Sequence, residues 1–283
     1  INLIGQDLAA FDISTYEEKN GCSPLCYLLK KISELKGDFL IRLLYIHPDH
    51  FNTDILDVME KDSRFARYFD IPFQSGDDKI ISLMNRTGTK NQYVNLVNTI
   101  RKRLEGCVIR TTFLTGFPGE TEVAAKNTVD FLKEIEPDWS GCFPYSREED
   151  TAAYNMKGRV SLKIAEKRAK ELEEIQSEIT QSHLQRYIGQ EIPVLVEEVI
   201  KVPSENEEIS EGLAIGRAWF QAPDVDGTVV IRYEADDKTE SESVKSGNVV
   251  LVKILAVSGV DLDSRYLKLQ NVYSSVKIHI GDN

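Results

Sequence analysis

The sequence predicts an α/β fold, part of a TIM-like β/α barrel, followed by a small all-β barrel. Three observations predict it. Nearly continuous apolar runs alternate with helix-period runs through residues 1–150, the mark of a parallel sheet covered by helices. One long apolar stripe at helical spacing follows. From Gly189 the texture turns to short alternating segments separated by turn residues, which suits a small closed barrel.

The strand-like runs of the first part are Ile1–Gly5, Phe39–Ile46, Tyr68–Phe73, Val108–Thr115 and Trp139–Tyr145. Helix-like runs fall between them. Pro24–Leu35 carries proline in its first turn, and Thr53–Lys61 opens on a good cap residue. Lys79–Met84 is short. Lys90–Leu104 and Glu120–Ile135 have apolar residues at helical spacing. Five βα units of this kind suit part of a barrel. Ser161–Tyr187 reads as one helix, with Leu162, Ala165, Ala169, Leu172, Ile175, Ile179 and Leu184 on one stripe. The β-type segments are Ile192–Val199, Leu213–Phe220, Thr228–Tyr233, Val249–Val257 and Tyr266–Val272. Glu234–Ser246 is polar enough to read as a mobile loop. The predicted organisation is therefore a partial barrel over 1–158, a connecting helix over 159–187, and a β-barrel with its tail over 188–283.

Composition narrows the function. The 283 residues are 41% hydrophobic and 28% charged, ordinary for a globular protein. No run approaches the roughly 18 apolar residues that span a membrane. Net charge is −12, which repels polyphosphate on average and suits a basic partner. Most of the excess sits in the β-module: residues 188–270 hold sixteen acidic side chains against eight basic ones. Four scattered cysteines do not make a secreted disulfide scaffold, so the chain reads as cytoplasmic. It starts without Met, inside an apparent strand, and reads as a piece of a longer protein.

In β/α barrels the chemistry gathers at the C-terminal ends of the strands. The polar residues there are Gly5, Gln6 and Asp7 after the first strand, Arg42 on the second, and Gln74 and Ser75 after the third. Arg110 and Thr112 lie on the fourth strand. Gly116, Gly119 and Glu120 form the turn behind it, and Tyr145 and Arg147 follow the fifth. Glycines let a backbone approach a ligand closely, and the helix start behind them offers unpaired N–H groups. The set suits a ligand with a carboxylate, a ribose and a base. Pro48 disrupts the spacing that would make His47 and His50 a metal pair, so they read as a polar loop. Cys22 and Cys26 form a CxxxC pair, but the next position of a CxxxCxxC cluster motif is Leu29, so they read as free thiols. Cys107 and Cys142 read as core fillers.

The order of these pieces resembles a known family. Leu3-Ile-Gly-Gln-Asp7, Arg42-Leu-Leu-Tyr-Ile-His-Pro-Asp-His50, Asp70-Ile-Pro-Phe-Gln-Ser-Gly76, Leu83-Met-Asn-Arg86, Gly116-Phe-Pro-Gly-Glu-Thr121 and Tyr145-Ser-Arg-Glu-Glu149 are similar to radical S-adenosylmethionine methylthiotransferases. The β-module resembles their TRAM domain. Tyr45–His50 and Gly216–Gly227 resemble the branch that modifies an aspartate of a small-subunit ribosomal protein (the RimO type). The competing branch modifies a transfer-RNA adenosine (the MiaB type); a third reading is a cluster-less binding module. The resemblance implies S-adenosylmethionine and two 4Fe-4S clusters as cofactors, and an electron donor and a basic ribosomal protein as partners. It implies that the cluster cysteines lie upstream of Ile1, so this piece alone would be inactive. It implies that Gly5, Gln6, Asp7, Arg42, Gln74, Ser75, Arg110, Thr112, Gly116, Gly119 and Glu120 surround the cofactor. Tyr145, Arg147, Trp219 and Phe220 would meet the substrate.

Overall fold

The computed structural model describes residues 1–12, 21–200 and 211–270. The chain divides into two units, Ile1–Lys36 with Ile41–Ile179, and Gly37–Leu40 with Thr180–Asn283.

The first unit is a sheet of β1 (Asn2–Ile4), β2 (Ile41–Leu44), β3 (Phe65–Asp70), β4 (Val108–Thr115) and β5 (Trp139–Pro144), in chain order. Every pairing is parallel. Parallel strands in unbroken sequence order are the winding of a β/α barrel, as the alternation predicted. The third strand starts earlier than its apolar run suggested, at Phe65, and Ile71–Phe73 lie beyond it.

The helices begin where local chemistry lets them. Ser23 accepts the Cys26 amide and Pro24 opens α1 (Pro24–Ser33). α2 (Ile55–Lys61) follows β2. Asp77 caps α3 (Asp78–Leu83), Thr89 caps α4 (Lys90–Arg103) and Thr121 caps α5 (Glu122–Ile135). Glu120 therefore stands outside the helix that the sequence reading started with it. α5 covers one face of the sheet: Phe131 meets Phe73 and Phe113 edge-on, with ring centroids 5.4 and 6.1 Å apart. Of the predicted stripe on α6 (Leu162–Leu184), Ala165, Ala169, Leu172 and Leu184 are buried, whereas Leu162 is 59% exposed.

The second unit closes β6 (Glu191–Ile200), β7 (Glu211–Arg217), β8 (Val229–Glu234), β9 (Val249–Ser258) and β10 (Asp261–Leu269) into a barrel in the order β10-β8-β7-β6-β9. The β8–β10 pair is parallel and the others antiparallel. Strict inside–outside alternation runs along β7 and β8. Val194, Val196, Ala214, Val229, Ile231, Val250, Val252 and Leu262 are completely buried. Two expectations change here. The polar stretch after β8 holds α7 (Lys238–Ser243), because the Asp237 carboxylate caps its first amides. The fifth β-segment starts at Asp261, not Tyr266; its expected end at Val272 lies outside the described residues.

Candidate functional site

The polar face of the sheet and the ends of its strands form one connected surface. Arg42 donates to Asn2 Oδ1 at 3.1 Å, and its guanidinium lies 5.0 Å from the Tyr68 ring centroid. Arg110 Nη1 donates to Asp70 Oδ1 at 2.9 Å, and both side chains are buried. The other Asp70 oxygen accepts the Tyr45 amide at 3.3 Å. One carboxylate thus ties β3, β4 and the end of β2 together.

The chain turns left-handed where three strands hand over to loops: Tyr45 has φ 63°, Gln74 φ 71° and Gly116 φ 76°. Glycine adopts this freely; a tyrosine or glutamine there costs on the order of 1–3 kcal/mol and persists only when its surroundings hold it. Tyr45 is held by Asp70 and by the Leu8 amide, which donates to its carbonyl at 2.9 Å. Gln74 bridges β4, donating to the Thr112 carbonyl at 2.8 Å and accepting the Leu114 amide at 2.9 Å. Such strain gathers at functional sites.

Carboxylates staple the loops of this rim. Asp7 Oδ1 accepts the Ala9 and His47 amides at 3.0 and 3.1 Å, and Oδ2 lies 2.5 Å from His50 Nδ1. Burial pushes the Asp7 carboxyl up, but the His50 and His47 bonds outweigh it and hold it below the usual carboxylate range. Asp49 accepts the Thr87 and Gly88 amides, the Thr87 hydroxyl and the Tyr93 hydroxyl, at 2.7 to 3.2 Å. Burial opposes these bonds too, and they win: its carboxyl also titrates below the usual range. Asp7, His47 and His50 bring ligand atoms within 4.8 Å of one another. However, His47 Nδ1 already accepts the Asp49 amide at 3.2 Å, and burial with Arg86 nearby pushes its imidazole toward the neutral form.

Arg42 and Arg110 are thus tied to neighbouring strands, Gln74 to β4 and Asp7 to the loop after β2; Gly5 and Gln6 follow β1, with Gln6 exposed, and Gln74 and Thr112 are half-buried. Tyr145 joins the rim at the end of β5, where its amide donates to the Thr115 carbonyl. Its ring sits edge-on to Phe117 at 5.2 Å, and its buried hydroxyl has no hydrogen-bond partner among the described residues. Arg147 stacks over the Tyr154 ring at 3.6 Å and donates to the Tyr154 carbonyl.

Other candidates turn away from this surface. The Ser75 hydroxyl bonds Thr128 on α5 and accepts the Asp77 amide. Glu120 is buried, accepts the Gly116 amide at 2.6 Å and pairs with Arg168 on α6 at 2.7 Å. A Cβ on Gly116 would stand 2.3 Å from the Ala165 methyl; one on Gly119 would stand 3.0 Å from Leu83. The two glycines admit protein here: Gly116 makes room for α6, and Gly119 for α3. Trp219 and Phe220 lie past β7 and are buried, Trp219 at 8% exposure and Phe220 stacked 4.0 Å from Tyr187. Both are packed within the second unit and offer a partner little surface. Reading the sequence missed the parts played by Tyr45, Asp70 and Asp49, whose signal is backbone handedness and distant partners.

Comparison with known proteins agrees with this layout. The profile described as the Radical SAM superfamily matches residues 13–132, and that of the TRAM domain matches residues 188–266. The chain is 50% identical to the ribosomal protein uS12 methylthiotransferase RimO of Treponema denticola, over 93% of this chain and 58% of the relative. It is 38% identical to the protein of that name in Thermotoga maritima, over 82% of this chain and 51% of the relative. The chain thus spans about half the length of the curated relatives it matches. Among solved structures, coproporphyrinogen III oxidase (HemN) from Escherichia coli gives a TM-score of 0.45 at 19% identity, covering 54% of this chain and 36% of that one. Two domain matches in the order of the two units, and high identity running through both, make the chain similar over most of its length to radical SAM methylthiotransferases of the RimO type.

Proposed function

We propose that this chain is part of an enzyme that adds a methylthio group to the β-carbon of an aspartate in ribosomal protein uS12. The observation that carries this is the 50% identity to a uS12 methylthiotransferase, sustained across sheet and barrel together. The relatives' names favour the ribosomal protein over transfer RNA. So does the net charge of −12, since a basic protein is drawn to an acidic surface and a polyanion is repelled.

One observation that does not depend on the relatives supports a ligand at this rim: Tyr145, at the end of β5, carries a buried hydroxyl with no hydrogen-bond partner among the described residues. S-adenosylmethionine, when bound, supplies the methyl group and the radical chemistry an unactivated carbon requires. This chain's residues would bind and orient it. Gln6, Gln74, Thr112 and Tyr145 would supply hydrogen bonds. The Asp70–Arg110 pair would keep the strand ends rigid, and Arg147 would stand toward the substrate. The described residues do not fit a three-thiolate cluster: Leu29 fills the third position and is fully buried. Cluster chemistry and the electron donor are therefore assigned to no residue of this chain.

The full protein, purified without oxygen and given uS12, a reductant and S-adenosylmethionine, is expected to raise the mass of one uS12 aspartate by a CH2S unit. Modification of transfer RNA with uS12 left untouched would overturn the reading. Tyr145→Phe should leave thermal stability unchanged or slightly higher, because the lost hydroxyl has no partner. The same change should weaken S-adenosylmethionine binding by about 3- to 10-fold, the worth of one hydrogen bond. Unchanged affinity by calorimetry would remove Tyr145 from the site.

A further inference from the structure

We infer that Cys22, Cys26 and Asp54 form a mononuclear site for a zinc-class divalent cation, separate from the strand-end rim. One ligand atom from each lies within 4.8 Å of the other two. Cys22 precedes the Ser23 cap of α1, Cys26 lies in the first turn, and Asp54 stands at the start of α2. Two helix starts thus meet at one point.

The carboxylate is held in place. Ser23 donates its amide to Asp54 Oδ2 at 2.5 Å and its hydroxyl to Oδ1 at 2.8 Å. Each oxygen keeps a lone pair for a metal, and an outer hydrogen bond of this kind is what fixes a ligating carboxylate. Cys26 Sγ sits 3.4 Å from the Asp54 carbonyl, so the thiol is already drawn to the α2 start.

The donor set selects the cation. Two thiolates and one carboxylate suit zinc, whereas calcium and magnesium take all-oxygen shells. Zinc–thiolate bonds of about 2.3 Å put two sulfurs about 3.8 Å apart in a tetrahedron, inside the present spread. The buried Leu29 rules out a third thiolate at cluster spacing, but a mononuclear site needs none. Water takes the fourth position. Charge also balances: two thiolates and a carboxylate around a dication leave one negative charge, and Lys30 stands one helical turn beyond Cys26 on α1. Binding releases both thiol protons to solvent, and no electron moves.

The test is a Co2+ titration of the 283-residue chain, kept reduced with a phosphine. One equivalent should bind with a thiolate-to-cobalt charge-transfer band, and Zn2+ should displace it. Cys22→Ser should abolish the band. Ser23→Ala should weaken binding by about 10- to 100-fold, and Cys107→Ser should change nothing. Cys26 is buried, so Cys22→Ser carries the test, with circular dichroism showing that it folds. No band in the folded wild-type chain, or a band that survives Cys22→Ser, overturns the site.

Discussion

The sheet unit takes charge inside; the barrel unit keeps it outside. In the first, Asp70–Arg110 and Glu120–Arg168 are buried ion pairs. In the second, Arg232 pairs with Glu211 and Asp263, and Arg265 with Glu234, on side chains a quarter to a half exposed. The barrel interior is mainly aliphatic and needs little beyond strand alternation to define it. The sheet unit has a face that α5 does not cover and loop ends that must stand in one arrangement. Buried pairs do not reliably add stability, because desolvation offsets their attraction. Here each buried pair fixes a junction: Asp70 holds the Tyr45 turn, and Glu120 holds the Gly116 turn against α6.

That contrast can be broken by mutation. Glu120→Ala leaves the Gly116 amide unpaired and takes from the buried Arg168 guanidinium one of its two carboxylate partners, Glu122 remaining, and is expected to cost about 2–4 kcal/mol in urea denaturation. A loss below 1 kcal/mol would mean that Arg168 relaxes to solvent and that the two units treat charge alike.

A smaller effect is expected from acid. The Asp49 carboxyl titrates below its ordinary value of 3.8 in the folded chain, so the folded state binds fewer protons than the unfolded one. Its stabilisation is full above that ordinary value and is lost as pH falls through the lower, folded one. Hydrogen exchange of the Thr87 and Gly88 amides should accelerate in that window, beyond the intrinsic pH dependence of exchange. Asp49→Asn should remove the acid step and cost about 1–3 kcal/mol at neutral pH. Exchange at these amides that shows no such step would deny Asp49 its stapling role. The smallest effect belongs to the barrel: Arg232→Met should cost about 0.2–1 kcal/mol and lose its salt dependence, as exposed pairs do. A loss as large as that of Glu120→Ala would erase the contrast.

Much of the fold was legible. Val108–Thr115 was read to its exact ends, because an apolar run bounded by Gly106 and Gly116 leaves little choice. Ser23, Thr89 and Thr121 cap helices with residue types suited to it, but the one cap read from the sequence, Thr53, is displaced: α2 starts after Asp54 with no side-chain cap bond. The rim was legible as a place but only partly as a set of roles. Strand ends locate Asp7 and Gln74, past β1 and β3, whereas Arg110 lies within β4, opposite the last residue of β3. Nothing local says that Ser75 turns toward Thr128, or that Tyr45 is left-handed. The Glu234–Ser246 stretch misled because polarity was read as looseness, while Asp237 supplies a cap that starts a helix there.

Alternation and capping are short-range properties, and the amino-acid order alone settles them: two kinds of unit, parallel then mostly antiparallel, with a helix between. Glu120 shows where that reach ends. Its partner Arg168 stands 48 positions away, so no spacing rule could have turned it from a ligand toward α6. Phe220 is the same case, since its burial depends on packing against Tyr187, more than thirty positions back in the chain. Side-chain direction at a chain reversal depends on what packs against it, and that is decided only when distant segments meet.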